Sequence, residues 1–166
     1  MVKVILVIIL VSGLLITGCA GKSNQVARVG MPAPNFQLKN LDGQSVSLSD
    51  LQGKPVLINF WASWCQPCVL EMPLLQEIYD DWSSEDLVLV TINVGESSSK
   101  VEKFIQGLGL SLPVLLDIKA EVAQQYGIRF FPTTLFIDKN GIIKDRKLGM
   151  LTSKSEIESI LKKIVP

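Results

Sequence analysis

The 166-residue chain predicts an α/β domain built on a central mixed sheet with helices on both faces. Three observations carry that expectation. Two continuous apolar runs, PVLINFW at 55–61 and DLVLVTINV at 86–94, are what strands covered on both faces require. Segments between and after them place apolar residues at helical spacing. The last two strand signals meet at Asn140-Gly141, a hairpin turn, so the final pair is antiparallel and the sheet is mixed.

The elements follow in order. FQLKNLDGQSVSLSDL, 36–51, alternates apolar and polar residues around Asp42-Gly43, which predicts a β-hairpin, and Ser49-Asp50-Leu51 reads as a short helical turn. The buried strand at 55–61 comes next. A helix over 65–83 is expected because Leu74, Leu75, Ile78 and Trp82 share one face. Strand 86–94 precedes a helix over 98–108 that ends near Gly107 and Gly109. LPVLLD, 112–117, reads as a strand and AEVAQQYG as a short helix closed by Gly127. Strands 133–138 and 142–149 form the closing hairpin. A last helix, 152–164, puts Ile157, Ile160, Leu161 and Ile164 on one face, with lysines near its end.

Composition narrows the function. Sixteen basic and sixteen acidic residues cancel, with no basic stripe, so nucleic acid is not an expected partner. The absence of histidine removes the usual general base and the usual metal ligand. The N-terminus carries Lys3, an apolar run over 4–16 and then Ile16-Thr17-Gly18-Cys19. The run is short for a membrane span and suits an export signal. Its end resembles a bacterial lipoprotein processing site, which implies cleavage before Cys19 and lipidation of its sulfur. An uncleaved signal-anchor is the alternative. The expected organisation is therefore a signal peptide over 1–18, a small, polar tether over 19–30 and one domain over 31–166. Either form of the N-terminus leaves the domain on the extracytoplasmic side, where disulfides persist.

The chemistry concentrates in WASWCQPC, 61–68. Cys65 falls between a buried strand and a helix. Unpaired N–H groups and the positive end of the helix dipole there favour thiolate, the form that attacks a disulfide. Pro67 fits the first helical turn, where its missing N–H costs little. Cys68, one turn further in, is expected to be shielded. That asymmetry suits attack by Cys65 and resolution by Cys68. A metal site would need more ligands than the chain offers, since the only other thiol is Cys19. An inert disulfide would close a loop too small to stabilise much. No metal and no other cofactor is expected.

These residues resemble the thioredoxin superfamily. Trp61, Trp64, Cys65, Pro67 and Cys68 match its active-site stretch, and Pro73 matches the proline that kinks its active-site helix. YGIRFFPTTLFIDKNG is similar to the segment carrying a cis-proline opposite the dithiol. The resemblance assigns that place to Pro132, and to Phe131 the backbone that pairs with substrate. GMPAPNFQLKNLDGQSVSLSDLQGKPVLINFWASWCQPC and TINVGESSSKVEKFIQGLGLSLPVLLD resemble TlpA/ResA-like, membrane-tethered disulfide reductases, in their N-terminal hairpin and their central strand-and-helix insertion. The resemblance implies a thioredoxin-like fold and reduction of protein disulfides, with apocytochrome c among the substrates. It also implies a membrane electron donor of the DsbD/CcdA type. A monomer is expected.

Asn59 stands where thioredoxin has a buried Asp, and it cannot relay a proton. Glu71, three residues after Cys68 on the same helix face, is expected to take over proton handling; a solvated helix glutamate is the bland alternative. Trp64 is expected to line the site surface with Phe131 and Pro132, and Trp61 to belong to site or core. Lys100, Lys103, Lys144 and Lys147 read as solvated. Two other functions remain in view. A peroxiredoxin-type peroxidase would carry Thr three residues before its cysteine, where this chain has Ala62. A non-catalytic binding module would not need the intact dithiol.

Overall fold

A computed structural model describes residues 26–165. The hairpin is β1 (Gln37–Asn40) and β2 (Ser45–Ser47), followed by a 3-10 turn, Leu48–Leu51. Then come β3 (Val56–Trp61), α1 (Gln66–Trp82), β4 (Val88–Val94), α2 (Ser98–Leu108), β5 (Val114–Asp117) and α3 (Glu121–Gln125). The closing elements are β6 (Thr133–Ile137), β7 (Ile143–Leu148) and α4 (Lys154–Leu161). All seven strands join one sheet in the order β2-β1-β5-β4-β3-β6-β7. β3 runs parallel to β4 and antiparallel to β6, so the sheet is mixed, as expected.

Alternation along β3 builds the two cores, because successive side chains of a strand point to opposite faces. Leu57 and Trp61 pack with Met72, Leu75 and Ile78 of α1, Val101 and Ile105 of α2, and Ile157 and Leu161 of α4. Val56, Ile58 and Phe60 face the other way, against Phe36, Val122 and Tyr126. The dithiol helix therefore rests on a strand that is buried along its whole length.

The boundaries differ from expectation in ways that have local causes. β5 starts at Val114 rather than 112, because Pro113 has no N–H for the ladder; its carbonyl still accepts from Thr91 N–H at 2.8 Å. α4 ends at Leu161 rather than 164. The chain tightens there into three-residue hydrogen bonds, Lys163 N–H to Ile160 O and Ile164 N–H to Leu161 O, which keep Ile164 buried. A 3-10 turn, Ser83–Glu85, unforeseen from the sequence, closes at Asp86 in the left-handed region (φ 62°). α1 continues through Pro73. At the N-terminal end Ala27 is buried, Arg146 donates to its carbonyl, and Gly30 N–H bonds to Ile143 O. The predicted signal peptide and Cys19 lie outside the described residues.

Candidate active site

β3 ends at Trp61 and α1 begins at Gln66, so a four-residue turn carries the chain from the sheet centre onto the helix. Cys65 is the N-cap of α1 and its Sγ accepts the Cys68 N–H at 3.3 Å. That places sulfur where orphan helix N–H groups stabilise negative charge. Cys65 and Cys68 are joined by a disulfide with their Cα atoms 5.3 Å apart. Cys65 retains 6% exposure, whereas Cys68 has none. One sulfur is thus within reach of a partner and the other is not.

Large apolar side chains on the active-site turn and on the loop before β6 are exposed. Trp64 is 68% and Phe130 67% exposed. Trp64 meets Phe131 edge-on, with ring centroids 5.8 Å apart. The Phe131–Pro132 peptide is cis, and Pro132 O accepts from Gly149 N–H at 2.9 Å. The structure thus brings together Trp64, Cys65, Cys68, Phe131 and Pro132. Trp61 belongs to the core, fully buried and tilted against Phe104 at 5.7 Å. Ala62, also buried, offers no hydroxyl.

Glu71 is buried, not solvated: its residue exposure is 1%. Asn59 Nδ2 donates to its Oε1 at 2.8 Å and Leu151 N–H to its Oε2 at 2.7 Å. Asn59 is held in turn by Thr134 Oγ1, 3.0 Å away on its register partner in β6. Burial raises the Glu71 pKa to about 7, against the lowering effect of the Leu151 and Asn59 hydrogen bonds. An i, i+3 spacing puts it on the Cys68 face of α1. A carboxyl group that changes charge near neutrality, beside a sealed thiol, can exchange protons with it.

Sequence reasoning missed three participants. Leu151 acts through its main chain, which leaves no side-chain signal. Asn59 registers as the loss of an acid, while its role as holder of Glu71 depends on α1 lying above it. Glu96 accepts from Ser63 in the active-site turn, 33 positions earlier, and nothing in its local sequence marks it. Three of the four lysines read as solvated also form ion pairs: Lys100 with Glu96, Lys144 with Asp138, and half-buried Lys147 with Glu156.

The arrangement supports two-electron exchange. Cys65 thiolate attacks one sulfur of a disulfide, and the other sulfur leaves as thiolate and takes a proton. Cys68 thiolate then attacks Cys65 Sγ, which forms the intramolecular disulfide and releases the reduced partner. A strand-to-helix dithiol on a mixed, helix-covered sheet defines a thiol–disulfide oxidoreductase of thioredoxin-like fold. Comparison with known proteins agrees. The profile of the AhpC/TSA family matches residues 29–146, and the chain belongs to that family. It is 41% identical over 138 residues to thiol-disulfide oxidoreductase ResA of Geobacillus thermodenitrificans (strain NG80-2), spanning 83% of this chain and 79% of the relative. Among solved structures it is similar to the pneumococcal exposed lipoprotein thioredoxin Etrx1 of Streptococcus pneumoniae strain TIGR4. The TM-score is 0.71 and the identity 34%, covering 78% of this chain and 99% of that one. A thiol:disulfide interchange protein of Chlorobium tepidum TLS matches with TM-score 0.73 and 29% identity, over 86% of this chain and all of the other.

Proposed function

We propose that this oxidoreductase works outside the cytoplasm, held to a membrane by lipid on Cys19, and that it reduces disulfides in extended protein segments. The observation that carries the reading is the asymmetry of the dithiol. Cys65 keeps slight exposure at an apolar rim that includes its neighbour Trp64 and the Phe131 ring packed on it, and Cys68 is fully buried one helical turn before buried Glu71. A nucleophile at the rim can capture a partner, and a sealed resolver acts only on the captured intermediate.

Glu71 supplies the proton traffic. Its carboxylate accepts the Cys68 proton as that thiol becomes nucleophilic, and a pKa of about 7 lets both forms be populated at neutral pH. Phe131 presents backbone to an extended partner next to Pro132. Resemblance to the TlpA/ResA-like reductases favours the haem-binding cysteines of apocytochrome c as substrate and a DsbD/CcdA-type membrane protein as electron donor. The Cys19 context and the lipoprotein description of the pneumococcal neighbour support the anchor.

Insulin reduction with dithiothreitol as donor tests the reading. The protein is expected to accelerate insulin reduction and Cys65→Ser to abolish the acceleration, with no thiol-dependent consumption of peroxide. Peroxide consumption without insulin reduction would replace the reading by a peroxidase, and neither activity by a binding module.

A further inference from the structure

We propose that Glu96 is a positioning residue for disulfide exchange: its carboxylate clamps Ser63 and thereby fixes the turn that presents Trp64 and Cys65 to the partner. Glu96 lies in the loop between β4 and α2, within the segment that resembles the strand-and-helix insertion of TlpA/ResA-like reductases. Gly95 before it sits at φ 78°, where a side chain would be strained, and this lets the loop fold back toward the end of β3.

The Glu96 side chain is 4% exposed and its carboxylate fully engaged. Oε2 accepts the Ser63 N–H at 2.7 Å and Asn93 Nδ2 at 2.8 Å. Oε1 accepts the Ser63 hydroxyl at 2.7 Å and the Lys100 ammonium at 2.6 Å. A carboxylate has about four acceptor sites, and here each is filled by a donor. Two of the four bonds converge on Ser63. That residue lies past the end of β3 and before α1, where neither ladder nor helix offers its N–H an acceptor. Glu96 provides it, in charge-assisted form.

Ser63 is two residues from the attacking sulfur. Fixing both its backbone and its side chain leaves the following residues little freedom before Cys65 enters the helix. Burial by itself would raise the Glu96 pKa, but the bonds from Asn93, Lys100 and Ser63 outweigh it and hold the group at about 2. Glu96 is therefore a fixed anion across the pH range of thiol exchange and carries no proton in the reaction. Glu71 titrates beneath Cys68; Glu96 holds the turn ahead of Cys65.

Glutamine at this position has the same shape but turns one acceptor into a donor, which faces other donors. In Glu96→Gln the second-order rate of insulin reduction should fall about tenfold, as expected for a slightly misplaced nucleophile. Ser63→Ala, which loses only the hydroxyl contact, should fall about threefold. The double variant should be no slower than Glu96→Gln, because both act through one contact. The inflections of the rate–pH profile should stay where they are in the parent. A parent-like rate in Glu96→Gln overturns the proposal. So does a double variant whose defect is the product of the two single ones, or a loss that only matches the unfolded fraction measured by thermal melting. If Glu96→Gln does not fold, Ser63→Ala decides alone: a threefold loss at the parent's melting midpoint supports the proposal, and an unchanged rate refutes it.

Discussion

Replacing Glu71 by glutamine removes a buried charge and keeps the side chain's shape. In the unfolded chain this carboxyl ionises near 4.5, and in the folded protein near 7, because burial penalises the charged form. Between those values the folded state holds a proton that the unfolded state has lost. Stability contributed by the raised pKa is therefore complete below 4.5 and is lost as pH rises through about 7, beyond which the curve is level. The interval of roughly 2.5 pH units corresponds to about 3 kcal/mol. Glutamine does not ionise, so its curve lacks this fall. Its carbonyl can accept the Leu151 N–H. Its amide can donate to Asn59 Oδ1, a buried atom that has no hydrogen-bond partner among the described residues of the parent, once the Asn59 amide rotates. Urea denaturation of the oxidised proteins at several pH values from 4.5 to 8.5 measures the difference. The stability of Glu71→Gln relative to the parent should rise by about 3 kcal/mol across that range. Parallel curves would refute the buried-acid argument. Glu71→Gln should also slow resolution by Cys68 and erase the inflection of that step near pH 7, and unchanged kinetics would remove Glu71 from proton handling.

Two further outcomes follow from the site and the N-terminus. With single Cys→Ser variants, Cys65 should be alkylated by iodoacetamide faster than Cys68 at neutral pH, since Cys68 is fully buried; the opposite order would reverse the assigned roles. The intact mass of protein extracted from membranes should correspond to a chain starting at Cys19 with acyl groups, at least two of them for stable anchoring; a mass that includes Met1 would mean a signal-anchor.

The parts of the fold legible in the sequence are those set by local pattern. β3 and β4 show as mostly apolar runs because both faces of each are covered. The closing hairpin shows in Asn140-Gly141, where Gly141 adopts φ 77°. Cys65 and Cys68 could be placed because a strand signal ends just before them and a helix signal begins. What escaped depends on long-range packing. Glu71 becomes a buried acid only when Asn59 from β3 and the Leu151 main chain close around it, 12 and 80 positions away. Ser63 and Glu96 meet because β4 lies parallel to β3, with Trp61 in register with Asn93, so the two strands deliver their following loops to the same end of the sheet. Lys100 has the composition of a surface residue and gains its role only from that meeting.

A trapping experiment separates Cys65 as the attacking thiol from Cys68 as its resolver. Cys68→Ser, expressed in the native host, keeps the nucleophile and lacks the residue that releases the partner. Affinity purification without reductant, followed by mass spectrometry, should recover proteins disulfide-linked to Cys65, with an apocytochrome c among them if the proposed substrate is right. Cys65→Ser should recover none. Failure of Cys68→Ser to hold any disulfide-linked protein, while Cys65 still alkylates normally, would contradict the assignment of Cys65 as nucleophile and Cys68 as resolver.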